Sequence, residues 1–176
     1  MSAGNQQERL SAISFEEASL LAGFAMGEGS FMIVCRPRGT TWRISAAFNV
    51  SQNDPTPLEF MRQAIGCGTM RRAGAGGWYF EVNRLTDIRD IIIPFFDRFP
   101  LMGSKQQDFA LFKEAVLILC KKNALEANDW ARVVLLRHQM NGGGKRRYTT
   151  ERILRDYTPN DGILVVDDIV RSHGRS

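Results

Sequence analysis

The chain reads as an α+β protein: a four-stranded antiparallel sheet with helices on one face, in the order αββαββα, with further helices behind it. Three observations predict this. Residues 31–38 and 42–51 alternate apolar and polar side chains and are separated by turn residues. Residues 68–72 and 78–84 do the same around Gly74-Ala75-Gly76-Gly77, the pattern of a hairpin. The segments between and after these pairs carry apolar residues at helical spacing behind capping signals.

Residues 1–12 are polar and aperiodic and are expected to form an N-terminal arm. Ser14 and Glu17 make a capping box that opens a helix through Leu20, Leu21 and Phe24 to about Gly27, with Gly29 placed to end it. Strand 31–38 follows, and Pro37, Gly39 and Thr40 supply the turn into strand 42–51. Thr56, Pro57 and Glu59 read as a second capping box with proline at the first helical position. That helix carries Leu58, Met61 and Ile65 and stops at Gly66. After the hairpin, Thr86 or Asp87 caps a helix with Ile88, Ile91, Ile92 and Phe95, which Pro94 is expected to kink or split. Ser104 is expected to cap a longer helix with Phe109, Phe112, Val116 and Leu119, and another helix spans about 127–140. Gly142-Gly143-Gly144 breaks the chain before Lys145-Arg146-Arg147-Tyr148 and a short helix over 150–157. Residues 159–162 make a turn, and 163–166 form either a strand or a docking tail. The expected organisation is an arm (1–12), a core domain (13–141) and a basic C-terminal extension (142–176).

The 176 residues suffice for one core-bearing domain and are marginal for two. No stretch reads as a transmembrane helix and the N-terminus has no signal-peptide apolar region. An intracellular setting is therefore expected, bacterial or archaeal cytoplasm or an organelle, with no secretion and no membrane partner. Cys35, Cys67 and Cys120 form no CxxC pair, which argues against a zinc site or a disulfide framework and fits a reducing compartment. Net charge is +4, from 23 basic and 19 acidic residues. Residues 31–84 hold seven arginines (Arg36, Arg38, Arg43, Arg62, Arg71, Arg72, Arg84) against three acids, whereas 85–136 balance to zero. Arginine's planar fork matches phosphates and guanine edges, so a polyanionic partner is indicated beside the blander reading of a basic soluble surface.

Strand alternation sorts the side chains. Phe31, Ile33 and Cys35, then Trp42, Ile44, Ala46, Phe48 and Val50, then Trp78, Phe80 and Val82 suit the core. The opposite face carries Met32, Val34, Arg36 and Arg38, then Arg43, Ser45, Ala47, Asn49 and Ser51, then Tyr79, Glu81 and Asn83, with Thr69 and Arg71 alternating around Met70. Arginine, amide, hydroxyl and one acid form a set that reads base edges, and an antiparallel ribbon fits the major groove. A solvated polar sheet face has the same composition.

Residues 21–29 read L-A-G-F-A-M-G-E-G. Gly23 and Gly27 are four apart, so they stack on one helical face and admit another backbone closely. Glu28 ends the run. Two such acids, brought together by paired helices, repel unless a cation lies between them. A glycine-rich helix end with an unrelated acid has the same letters.

This nonamer resembles the LAGLIDADG motif of the homing endonucleases. Phe24 and Glu28 stand as apolar and acidic replacements, while Ala25 and Met26 depart from the pattern. The similarity extends from about Ser14 to Phe112 and more weakly to Tyr157. It implies the αββαββα fold with a saddle-shaped sheet, and a site-specific double-strand DNA endonuclease, intron-encoded, that hydrolyses phosphodiesters with a divalent metal (Mg2+, or another such as Mn2+). In the family the eighth-position acid binds the metal. Here that is Glu28, with Gly27 beside it. Gln52 follows strand 42–51, where the family often has a glutamine that orients water. Lys105 lies in Gly103-Ser104-Lys105-Gln106-Gln107-Asp108-Phe109, which resembles the family's G-x-K-x-x-D-F stretch and its basic residue near the site.

One motif and no internal repeat imply a homodimer, paired through Leu20, Gly23, Phe24 and Gly27, on a long pseudo-palindromic double-stranded DNA target. The expected DNA contacts are Arg36, Arg38, Arg43, Ser45, Asn49, Arg71, Arg72, Tyr79 and Glu81, with Lys145, Arg146 and Arg147 as a phosphate clamp. His138 and His173 are isolated and form no catalytic histidine motif. Two rival readings stay open on the sequence: an RNA-binding maturase acting on intron RNA, and a non-cleaving sequence-specific DNA-binding regulator.

Overall fold

The computed structural model describes residues 13–39, 41–74, 76–121, 125–144 and 146–157. The arm at 1–12, Thr40, Lys145 and the segments at 159–162 and 163–166 lie outside the described residues. The described elements are α1 (Phe15–Glu28), β1 (Gly29–Arg38), β2 (Thr41–Gln52), α2 (Thr56–Ile65), β3 (Thr69–Arg72), β4 (Trp78–Val82), α3 (Leu85–Asp87), a π-helical turn (Ile88–Ile92), α4 (Ile93–Arg98), α5 (Gly103–Leu119), α6 (Ala127–Gln139), a 3-10 turn (Met140–Gly143) and α7 (Thr150–Tyr157). The expected α+β order is thus observed, with four antiparallel strands ordered β1-β2-β4-β3.

Ser14 caps α1 as expected. Its hydroxyl accepts from the Glu17 amide at 3.2 Å, and the Glu17 carboxylate accepts from the Ser14 amide at 3.1 Å. Gly29 ends the helix for a different reason than a left-handed turn. Its backbone is extended (φ −79°), and a side chain there would collide with the Ala25 carbonyl. Thr56 is the first residue of α2 rather than its cap. Asp54 does the capping, its Oδ1 accepting from both the Thr56 amide (2.9 Å) and hydroxyl (2.8 Å). Ser104 likewise lies inside α5, whose N-cap, Met102, makes no side-chain bond. Pro37 sits within β1 rather than in the turn, which an edge strand tolerates because its outer amides need no ladder partner. The chain stays helical through Pro94, but its winding changes there. The preceding turn widens into π geometry, with the Ile93 amide donating to the Ile88 carbonyl, and α4 resumes with Pro94 in its first turn, where no amide is required.

The core lies between the sheet and the helices. Phe31 is central: its ring packs on Phe48 (5.1 Å between centroids), Phe96 (5.4 Å), Phe109 (5.4 Å) and Phe112 (5.2 Å), tying β1 and β2 to α4 and α5. A smaller cluster of Cys35, Trp42, Trp130, Ala131, Val134, Ile153 and Leu154 fastens α6 and α7 to the far end of the β1–β2 hairpin.

Candidate functional site

Register divides the sheet as alternation predicts. Phe31 pairs with Phe48 and Val50 with Phe80 on the helix side. Ser30 with Asn49, Val34 with Ser45, Arg36 with Arg43, Asn49 with Glu81 and Arg71 with Tyr79 share the open side. Arg36, Arg38, Arg43 and Arg71 are exposed, while Ser45, Asn49, Tyr79 and Glu81 are half-buried. Arg71 is preorganised: its guanidinium stacks 4.4 Å from the Tyr79 ring, and its Nε lies 3.6 Å from the Glu81 carboxylate. Asn49, in the middle of the face, has a buried Oδ1 with no hydrogen-bond partner. Arg72 departs from the expected set. Its register partner is Trp78, which puts its side chain on the helix side, stacked over that indole at 5.2 Å.

At one end of this face is a cavity of about 320 Å³ lined by Glu28, Ser51, Gln52, Asn53, Trp78 and Tyr79 among others. The topology builds it: α1 ends at Glu28, β2 ends at Gln52, and β4 begins at Trp78. Glu28 and Gln52, 24 positions apart in the sequence, therefore share one recess. The Gln52 Oε1 accepts from the Asn53 amide at 2.9 Å, which fixes the amide plane. Lys105 does not line the cavity. Its Nζ donates to the Gly29 carbonyl at 2.5 Å, one peptide from Glu28, and so ties the start of α5 to the α1–β1 junction. Met26 makes a related tie, its sulfur accepting from the Met102 amide at 3.3 Å. Gly27 is exposed.

Glu28 is the sole carboxylate in the cavity lining, and among the described residues no three or more His, Cys, Asp or Glu cluster as a metal site. The donors present (carboxylate, amide and hydroxyl oxygens) are the hard kind that Mg2+ and Mn2+ prefer, but they bring one negative charge. The set fits such a cation once a second carboxylate joins it.

Of the residues expected to pair, Leu20, Gly23 and Gly27 lie on the outer side of α1, while Phe24 packs partly against the core. Leu20 is 65% exposed, Gly23 and Gly27 are exposed with open space around them, and Phe24 is half-buried; Ala18, Leu21, Ala22 and Ala25 face the core. Arg146 and Arg147 line a second, larger groove of about 620 Å³ along the free edge of β1, together with Arg137. Arg137 is a residue that motif reading missed. The signal was a charged side chain at the core-facing spacing of Trp130, Val133 and Val134.

The LAGLIDADG endonuclease family model matches residues 21–116. The chain is 29% identical over 123 residues to the Neurospora crassa "Probable intron-encoded endonuclease 2", covering 68% of this chain and 26% of that protein. It is 30% identical over 120 residues to the "Homing endonuclease I-ApeII" of Aeropyrum pernix, covering 64% of this chain and 71% of that one. The chain thus spans about a quarter to a third of the length of several curated relatives it matches, 26%, 25% and 31% in three fungal cases. Among solved structures, the meganuclease I-SmaMI bound to uncleaveable DNA superposes with a TM-score of 0.69 at 28% identity, over 75% of this chain and 46% of that one. The archaeal intron-encoded homing endonuclease I-Vdi141I, complexed with DNA, shares the fold with a TM-score of 0.74 at 21% identity, over 80% of this chain and 94% of that one.

Proposed function

The chain belongs to the LAGLIDADG endonuclease family, and from that premise we propose that it is a site-specific, metal-dependent endonuclease of double-stranded DNA, acting as a homodimer on a pseudo-palindromic target. The observation that carries the reading is the shared recess of Glu28 and Gln52 at the end of a basic, polar sheet face. The like-charged pair Arg36 and Arg43 supports it. Directly opposed arginines destabilise an isolated sheet and are relieved by a polyanion.

In this reading the open face seats the duplex, with Arg36, Arg38, Arg43 and Arg71 on phosphates or guanine edges and Asn49 offering its unpartnered oxygen to a donor. Apposition of two α1 helices through Leu20, Gly23, Phe24 and Gly27 brings the two Glu28 side chains together. A divalent cation held by Glu28 would supply charge stabilisation at the scissile phosphate and a more acidic water. Gln52, its plane fixed by the Asn53 amide, orients the attacking water. Lys105 holds the junction that aims Glu28, its ammonium bound to the Gly29 carbonyl. The replacement of an acid by Met26 leaves this arrangement intact, since its sulfur meets the Met102 amide instead of the recess.

The test is selection of cleaved sequences from a randomised duplex library with Mg2+, repeated with Glu28→Gln. Cutting by the wild type and binding without cutting by the variant are expected. Unchanged cutting by the variant refutes the role of Glu28, and absence of duplex binding by the wild type refutes the function.

A further inference from the structure

The groove along β1 holds a feature that the motif does not account for. Arg137 is only 6% exposed, and its Nε and Nη1 are buried with no hydrogen-bond partner; the Nε of Arg146 is in the same condition. Both guanidiniums line the groove. A buried donor without a partner costs about 1–3 kcal/mol, and an unpaired buried charge costs more. The surrounding groups compensate them only in part. Cys35 lines the same groove, but burial pushes its thiol up to about 11, so it is neutral. Asp108 attracts Arg146 electrostatically while its Oδ1 also accepts from the Asn141 amide at 2.6 Å. Burial, and then repulsion from Arg137, hold Arg146 below the usual arginine range.

The pair is also held rigidly. Asn141, in a left-handed conformation (φ 52°), donates from Nδ2 to the Phe31 carbonyl of β1 at 3.1 Å, pinning the end of α6 to the strand edge. Arg146 donates from Nη2 to the Met140 carbonyl at 2.7 Å, which leaves Nε for another acceptor. The groove is continuous with the open sheet face, because Ser30, Met32, Val34 and Arg36 border both.

We propose that Arg137 and Arg146 form a phosphate pocket that seats one backbone phosphate of a duplex where it leaves the β1 edge of the sheet. A phosphate held between the two side chains offsets their repulsion and gives their groove-side donors an anionic acceptor. The source of the phosphate rests on the duplex-binding reading of the sheet face; the pocket itself does not.

Two measurements on wild type, Arg137→Met and Arg146→Met test this. The first is melting temperature against inorganic phosphate. Wild type is expected to be stabilised by phosphate and both variants to lose that response; in its absence Arg137→Met is expected to melt no lower than wild type, because it removes half of a repelling pair, and Arg146→Met somewhat lower, because it also removes the bond to the Met140 carbonyl. The second is affinity for a random-sequence linear duplex against salt, where each variant is expected to lower the logarithmic slope by about 0.9, one phosphate contact. Equal phosphate stabilisation of all three proteins, or variants that unfold, overturn the pocket. Phosphate stabilisation confined to wild type with an unchanged duplex slope overturns the duplex as the source and leaves a free-anion site. A wild type that responds to phosphate but binds no duplex overturns the endonuclease reading as well, so the two failures are distinguishable.

Discussion

Gly23 and Gly27 allow a test in which stability and assembly move in opposite directions. Both lie in α1, and a methyl group built on either meets nothing within 4 Å in the isolated chain. A glycine within a helix is less stable than alanine by about 0.5–1 kcal/mol, so Gly23→Ala with Gly27→Ala should stabilise a single chain by about 1–2 kcal/mol. For a domain of this size that is a rise of about 2–8 °C in melting temperature. If the face meets a second copy, the same methyl groups enter a close-packed seam from both sides. Overpacking of that kind costs about 1–3 kcal/mol, equivalent to a dimer dissociation constant raised about 5- to 150-fold. Sedimentation equilibrium and thermal scans at low protein concentration read the two effects separately. The expected double variant melts higher as a monomer, dimerises more weakly and cuts duplex DNA more slowly, because one chain brings only one Glu28 to the cavity. A wild type that is monomeric at every concentration, or a variant that dimerises as tightly as wild type, refutes the pairing argument.

Lys105→Met removes a charged hydrogen bond of about 1.5–3 kcal/mol to the Gly29 carbonyl. Single-turnover cleavage should fall about 10- to 150-fold with little change in duplex affinity, and equal loss of both would indicate a merely structural lysine. Gly68→Ala should be strongly destabilising in urea titration: Gly68 has φ +84°, and a Cβ would press against Phe80 at 2.6 Å and the Glu81 carbonyl at 2.9 Å. Left-handed strain and overpacking together suggest about 2–5 kcal/mol, whereas Gly74→Ala, with open space around it, should be neutral. Stability should also decline in alkali. The buried Cys35 thiol is raised from 9.0 to about 11, so its folded form holds the proton more tightly; its contribution is complete below pH 9 and lost as pH rises to about 11. Thermal scans across that range should show a shallower decline for Cys35→Ala than for wild type.

The fold was legible because its signals are periodic. Alternation placed Phe31 and Phe48 inside and Arg36 and Arg43 outside, and the register bears this out residue by residue. Arg72 was expected among the DNA contacts although strand alternation puts it one position after Arg71, on the other face, where its register with Trp78 places it. Caps were less legible. Asp54 and Thr56 both carry oxygens able to cap a helix, and only the backbone path decides that the Asp54 carboxylate accepts, from both the Thr56 amide and its hydroxyl. The π turn before Pro94 was beyond reach, since a missing amide is compatible with a kink, a break or a local change of winding. The recess was half legible: the motif pointed to Glu28, but its neighbours come from the end of β2 and the start of β4, which adjoin only after strand pairing. Arg137 looked like one polar residue on an apolar helix face. Its meaning depends on Arg146 and the β1 edge arriving at the same place.

These features share one physical sign. Arg36 faces Arg43 across a strand pair, the buried Arg137 and half-buried Arg146 line one groove, and Glu28 is a lone carboxylate in a cavity of neutral donors. Each is unfavourable or incomplete in the single chain, and in the proposed reading each has a complement: a row of phosphates for the first, one phosphate for the second, a divalent cation and a second carboxylate for the third. The structure tolerates them because the stabilising work is done elsewhere, in the Phe31-centred core between sheet and helices. Their concentration along one surface, from the recess across the open face to the β1 edge, is what the proposed duplex-binding role requires of the free protein.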